Sequence, residues 1–145
     1  MNKLLPQANN LDTVIDVFMY IYFHPGCTKE SIADYCGFTL RQVEYYTNAC
    51  EYLDLINEDW TPTALGKDIC ARNASQIRER IYERIISDEL IGKIFAKRII
   101  FPDYDILPYA ISLAEEYCPG YSEPVYTRRA GALVKWVDKI IKDTL

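Results

Sequence analysis

The chain has 145 residues, half of them apolar, and a formal net charge of −5. This length and composition suit a compact protein with a substantial core, and no apolar run reaches the roughly 18 residues that a membrane span needs. The N-terminus lacks the apolar stretch of a signal peptide, so the sequence predicts a cytoplasmic protein.

The charges are unevenly distributed along the chain. Residues 1–69 contain four Lys or Arg against ten Asp or Glu, a net of −6, whereas residues 70–145 contain twelve against eleven, a net of +1. Phosphate contacts provide much of the affinity of DNA-binding domains, which are therefore usually basic. The acidity of the first half argues against DNA binding.

The chemistry-bearing residues show no catalytic or metal-binding pattern. The five cysteines are odd in number and lack C-x-x-C spacing, and His24, the one histidine, precedes a Pro-Gly turn. There is no phosphate loop, no nucleophile elbow and no acid-x-Lys motif of a restriction nuclease. We therefore expect a protein that is not an enzyme and has no metal site and no cofactor.

The first third of the chain predicts a helix-turn-helix. Apolar periodicity marks a helix over about residues 10–23, which ends at Pro25-Gly26. Thr28 can cap a short second helix, Gly37-Phe38 forms a turn, and Thr39 can cap a third helix. Two helices joined by about three residues are typical of this motif.

The third helix has two different faces. Thr39, followed by Gln42 three residues later, fits a capping box. At 100° per residue, one face is apolar and suits the core: Val43, Tyr46, Cys50 and Leu53. The opposite face is aromatic and polar: Arg41, Tyr45, Asn48 and Tyr52. Core packing explains the first set but not the second, which is where we expect the function to lie.

The segment after the third helix predicts a wing. Leu55-Ile56 and Trp60-Thr61 suggest two short strands around a polar turn, and Thr63 can cap a fourth helix. The order helix, helix, helix, hairpin is that of a winged helix. In the second half, further helices are expected to start near Ser75, Asp88, Pro108 and Ser122.

These elements predict a mainly α fold. We expect a winged helix-turn-helix domain over residues 1–71, made of three helices and a short β-hairpin. An all-helical C-terminal half, residues 72–145, would pack on it.

The third helix and two weaker segments also resemble a known family. The matching residues are Arg41-Gln42-Val43-Glu44-Tyr45-Tyr46, then Ala49, then Tyr52-Leu53-Asp54-Leu55, with Thr61-Pro62-Thr63-Ala64-Leu65-Gly66, Tyr126-Thr127-Arg128-Arg129-Ala130 and Trp136. They are similar to small winged-helix domains of prokaryotic restriction-system proteins, over about residues 10–142. Asp54 replaces a glycine of that pattern, where a helix often ends in a left-handed residue. The resemblance implies DNA recognition.

The predicted DNA-binding surface centres on the third helix. Arg41 near its N-terminus can reach a guanine edge or a phosphate, and Tyr45 and Asn48 share that outward face. Phosphate contacts from the second helix and the last helix would supplement them. The predicted DNA-binding residues are Lys29, Thr39, Arg41, Gln42, Tyr45, Asn48, Arg128 and Arg129.

Each of these assignments has a structural alternative. Arg41 can pair with Glu44 or Tyr45, Gln42 can serve only the capping box, and Lys29 can be simply solvated. The basic residues of the last helix can form a solvated face that Asp138 and Asp143 balance.

The sequence predicts two alternative functions. The first is binding of double-stranded DNA, as a transcription regulator or as the recognition component of a restriction-modification or defence system. A homodimer is one expected state, because two half-sites multiply the affinity of a weak module. The second is an acidic protein–protein adaptor or DNA mimic that uses the same aromatic helix face toward a protein partner.

Overall fold

The computed structural model describes residues 4–145, and within this range the chain forms eight α-helices. They are α1 (Leu11–Phe23), α2 (Lys29–Cys36), α3 (Leu40–Tyr52), α4 (Ala64–Cys70), α5 (Ala74–Ser87), α6 (Glu89–Ile100), α7 (Ile106–Tyr117) and α8 (Glu123–Thr144). No strand forms in the range described. The prediction of a mainly α fold is confirmed, and the prediction of a winged helix with a β-hairpin is wrong.

The predicted hairpin is reduced to a single bridge, between Ile56 and Pro62. On the turn side, Trp60 adopts a left-handed conformation (φ 65°), and its N–H donates to the Asn57 carbonyl at 2.9 Å, which closes a tight turn. On the other side, Pro62 has no N–H for a ladder, the Thr63 N–H donates to the Leu55 carbonyl at 3.1 Å, and the chain then enters α4 directly after Thr63. The segment is too short between turn and cap to pair further.

The helix-turn-helix forms as predicted. Thr28 and Thr39 each close a capping box at the start of α2 and α3. Between the two helices, Gly37 adopts a left-handed conformation (φ 70°) that a glycine enters without a Cβ penalty. The resulting turn of three residues, 37–39, sets α3 against both α1 and α2.

The connection after α3 depends on two backbone positions. Asp54 adopts the left-handed conformation (φ 60°) expected where the resembling pattern has glycine. Further on, a Cβ on Gly66 would lie 2.3 Å from the Leu55 carbonyl oxygen, so only glycine allows this approach. The connection therefore folds tightly back onto α4.

In the C-terminal half, two of the four predicted helix starts are shifted. Helix α5 is capped by Asn73, not Ser75, because the Asn73 side chain accepts from the Gln76 N–H and Gln76 completes a capping box. Helix α7 begins at Ile106, which places Pro108 inside its first turn. The remaining starts, at Asp88 and Ser122, are confirmed.

The two halves share one hydrophobic core and are joined by polar contacts at the end of α3. Tyr52, predicted to face outward, is 8% exposed, and its hydroxyl donates to the Asp88 carboxylate at 3.1 Å. Arg84 of α5 donates to the Leu53 carbonyl at 3.0 Å. The outward prediction for Tyr52 is wrong because the C-terminal half covers that turn of α3.

The segment before α1 crosses the last helix. Leu5 and Ala8 are buried, and the buried indole N–H of Trp136 donates to the Ala8 carbonyl at 2.8 Å. Arg129 donates to the Leu5 carbonyl, and the Leu5 N–H donates to the Tyr121 hydroxyl. Residues 5–8 thus lie fixed between α3 and α8.

Candidate nucleic-acid interface

The outward face of α3 stays accessible over its first two turns. Arg41 is exposed, and Tyr45 and Asn48 are partly exposed. The side-chain amide of Asn48 donates to the Leu4 carbonyl at 3.5 Å. The Arg41 Nε donates to the Tyr45 hydroxyl at 2.6 Å, and the guanidinium carbon lies 5.6 Å from the ring centroid. The two side chains therefore form one cationic and aromatic unit on the solvent side of the helix.

The start of α3 is occupied by its own capping box. The Thr39 hydroxyl accepts from the Gln42 N–H at 3.2 Å, and the Gln42 Oε1 accepts from the Thr39 N–H at 2.9 Å. The structural alternative for Gln42 is therefore present. Its NH₂ group still has donor capacity, because the cap uses only the oxygen.

Lys29 is engaged with a carboxylate of α3. Its Nζ lies 2.6 Å from Glu44 Oε1, in a hydrogen-bonded ion pair. The hydrogen bond from Lys29 and the charge of its ammonium hold the pKa of Glu44 below its usual range, and Arg41 contributes a smaller attraction. At neutral pH, Glu44 therefore remains ionised beside Arg41 and offsets the charge of Lys29.

An open cleft lies between α3, α8 and the segment before α1. Its volume is about 510 Å³. It is lined by Gln7, Ala8, Asn9, Gln42, Tyr45, Tyr46, Thr127, Arg128, Gly131, Ala132 and Lys135. The cleft brings together three predicted site residues from distant parts of the chain: Gln42, Tyr45 and Arg128.

The two adjacent arginines of α8 have different environments. Arg128 is exposed and lines the cleft, whereas Arg129 donates to the Leu5 carbonyl and lies 4.7 Å from the Tyr121 ring centroid. Neighbouring residues of a helix point about 100° apart, which separates them. Arg129, although predicted to bind DNA, fixes the N-terminal segment, and its Nε is buried with no partner in the part of the chain described.

Lys135, Gln7 and Asn9 line the cleft but were not among the predicted site residues. Lys135 lies seven residues after Arg128, so the two share a helix face, and the sequence indicated it only as one of several basic residues of the last helix. Gln7 and Asn9 gave no signal, because their position depends on the contacts of residues 5–8 with α8.

The remaining sequence predictions concern metals, cysteines and membranes. Over residues 4–145, no group of three or more His, Cys, Asp or Glu side chains could hold a metal ion. The five cysteines are free thiols, and burial raises the pKa of Cys70 to about 11. None of the helices α1 to α8 is both long enough and apolar enough to cross a bilayer.

Comparison with known proteins identifies a family but no function. No curated protein and no solved structure matches the chain. A family model described as a domain of unknown function, DUF7226, matches residues 13–144. This description links the chain neither to winged helices nor to restriction systems, so the resemblance of α3 to those proteins stays a prediction. Because the match covers almost the whole chain, the protein belongs to the DUF7226 family.

Proposed function

We propose that the protein binds double-stranded DNA through α3, with Arg41, Tyr45 and Asn48 reaching the bases or the backbone. The observation that supports this best is the accessible face of α3 within a helix-turn-helix, where Arg41 is exposed and Tyr45 and Asn48 are partly exposed. In that motif, the N-terminal part of the second helix is the part that enters the major groove.

The electrostatics of α3 alone would give weak binding. Glu44 lies on the same helix and offsets Lys29, and the first half has a net charge of −6. The uncompensated cations next to α3 belong to α8, at the edge of the cleft. A homodimer with two recognition helices would raise the affinity further. The cytoplasmic setting and the role in a restriction or defence system are part of the proposal, and the latter rests on the sequence resemblance.

The experiment is a fluorescence-anisotropy titration of a labelled random-sequence duplex pool, at two salt concentrations. We expect binding that weakens steeply with salt, and Arg41→Gln should reduce the affinity by about tenfold, as expected for loss of a charged base or phosphate contact. Arg80→Gln is the matched control, because Arg80 lies in α5 and already pairs with Asp68. Equal losses from both variants, or no binding by the native chain, would contradict the proposal.

A protein adaptor or DNA mimic is the second candidate. The observation that favours it is that α1 and α2 each expose carboxylates and aromatic rings to solvent: Asp16, Glu30, Asp34, Phe23 and Tyr35. Such a surface repels phosphate and suits a basic protein. In the same titration, an adaptor predicts no binding to DNA. Light scattering of the protein alone would then test whether this surface drives self-association.

A further inference from the structure

The α3–α8 cleft has a chemical character opposite to that of the whole chain. The protein has a net charge of −5, yet the residues that line the cleft include two cations, Arg128 and Lys135, and no carboxylate. An acidic protein that keeps carboxylates out of one concave surface presents a local positive potential there. This potential favours an anionic ligand.

The two cations are available for binding. Among the described residues, neither Arg128 nor Lys135 forms a hydrogen bond or an ion pair through its side chain. By contrast, Lys29, Lys139 and Arg98 all pair with carboxylates. Arg128 and Lys135 lie two turns apart on one face of α8, about 10 Å along the helix axis. Their long side chains can converge on one anionic group or bind two successive ones.

The other lining residues suit the remainder of a polar ligand. Gln7 and Asn9 offer carboxamides, which donate and accept hydrogen bonds, and Gln42 keeps its NH₂ group as a donor. Tyr45 adds an aromatic ring on the α3 side. A volume of about 510 Å³ lies within the range of small-molecule sites, about 300–1,000 Å³.

We propose that this cleft binds a nucleotide unit, with its phosphate at Arg128 and Lys135 and its polar edges at the carboxamides. The nucleotide unit has two sources with the same chemistry: a free mononucleotide, or one residue of the DNA that α3 contacts. Binding of a free nucleotide does not depend on the proposed function, because the cations that define the site belong to α8 and not to α3, whereas the DNA source rests on it.

The first arm of the test uses calorimetry with adenosine monophosphate as the probe. The native chain should bind the monophosphate and not adenosine, and Lys135→Gln and Arg128→Gln should each weaken binding by about tenfold, the usual loss for a charged hydrogen bond. Lys142→Gln is the matched control, since Lys142 is an exposed cation of α8 that does not line the cleft. Both positions of the cleft pair are exposed, so folding should be unaffected, which circular dichroism would verify.

The second arm measures the salt dependence of duplex binding. If the source is DNA, Lys135→Gln should reduce the slope of log affinity against log salt by about one, as expected for one lost phosphate contact, and Lys142→Gln should not. An effect in the first arm assigns a free nucleotide, and an effect in the second arm alone assigns the DNA backbone. Lys135→Gln without effect in both arms would overturn the inference.

The variant Arg41→Gln separates this inference from the proposed function. It should weaken DNA binding and leave adenosine monophosphate binding intact. Loss of monophosphate binding in the cleft variants, together with unchanged DNA binding in Arg41→Gln, would support the cleft and contradict the role of α3.

Discussion

Helix α8 has cations that form ion pairs with carboxylates and cations that do not. On the stretch of α8 that lines the cleft, Arg128 and Lys135 have no carboxylate partner among the described residues. Toward its C-terminal end, Lys139 lies 3.4 Å from Asp12 and 3.2 Å from Asp143. Lys142, one turn after Lys139, is exposed and makes no ion pair with the described residues, but it does not line the cleft. An available cation therefore indicates a binding site only where it also lines a concave surface.

The ion pairs of Lys139 belong to a network that joins three helices. Arg78 of α5 lies 2.6 Å from Asp12 of α1 and also donates to the Tyr82 hydroxyl, which in turn donates to Asp143 of α8. The hydrogen bond from Arg78 is the main reason that the pKa of Asp12 lies below its usual range. Every charge of this network has a partner within the chain, which suits a role in packing the two halves together.

The largest loss of stability is expected from a substitution of Trp136, which lies between the two ends of α8. Trp136→Phe removes the hydrogen bond to the buried Ala8 carbonyl and part of a fully buried side chain. The loss of unfolding free energy should be about 2 kcal/mol, most of it from the unpaired carbonyl. Urea denaturation would measure it, and hydrogen exchange at residues 5–8 should accelerate.

Trp60→Phe is the control for this substitution. Trp60 lies partly exposed in the turn between α3 and α4, and its indole makes no hydrogen bond to residues 4–145. This variant should change stability little. If Trp136→Phe leaves both stability and the exchange of residues 5–8 unchanged, the hydrogen bond from Trp136 to Ala8 is not what holds the N-terminal segment on α8.

A smaller loss of stability is expected from a substitution in the ion-pair network at the C-terminal end of α8. Asp12→Asn should reduce stability at pH 7 by about 0.5–1 kcal/mol, because the ion pair with Arg78 is half-exposed and screened. The folded pKa of Asp12 is lowered, so its contribution is complete above its unfolded pKa of about 3.9 and is lost as the pH falls through the folded value. The difference between variant and native chain should therefore shrink at pH 3.

Asp16→Asn provides the comparison, since Asp16 lies one turn later on α1 and makes no ion pair with the described part of the chain. At pH 7, Asp16→Asn should reduce the free energy of unfolding by less than Asp12→Asn does. A difference between Asp12→Asn and the native chain that persists at pH 3 would show that Asp12 acts through packing and not through its charge.

The sequence predicted local structure well because local signals are short-range. Capping residues such as Thr28 and Thr39, the turn glycine and apolar periodicity each act within a few residues, and the helix-turn-helix followed from them. The prediction of the β-hairpin was wrong because strand pairing is not decided by such short-range signals. Pairing depends on how many residues remain between a turn and a helix cap, and here only one bridge fits.

Only part of the geometry of the candidate site could be predicted from the sequence. The first two turns of α3 could be read from periodicity, and they are accessible as expected. The cleft could not be read in this way, because its walls come from residues more than 80 positions apart, and their approach depends on Trp136 and Ala8. Likewise, Tyr52 shares a face with Tyr45 in the sequence, but only the tertiary contact with Asp88 shows that it is buried.

The substitution with the smallest expected effect is one that releases a cation from its ion pair. Glu44→Gln removes the carboxylate that pairs with Lys29 and lies beside Arg41, and would leave both cations free to contact phosphate. If α3 contacts DNA, affinity in the anisotropy titration should rise by about threefold, and the slope of log affinity against log salt should steepen by about one as Lys29 gains a phosphate contact.

Glu30→Gln is the control. It makes the same change of net charge on α2, next to Lys29 in sequence, without releasing an ion pair between described residues. Equal effects from the two variants would mean that DNA senses only the net charge of the protein. A specific effect of Glu44→Gln would place the duplex at the start of α3, where Lys29 would then act in the same way as Arg128 and Lys135.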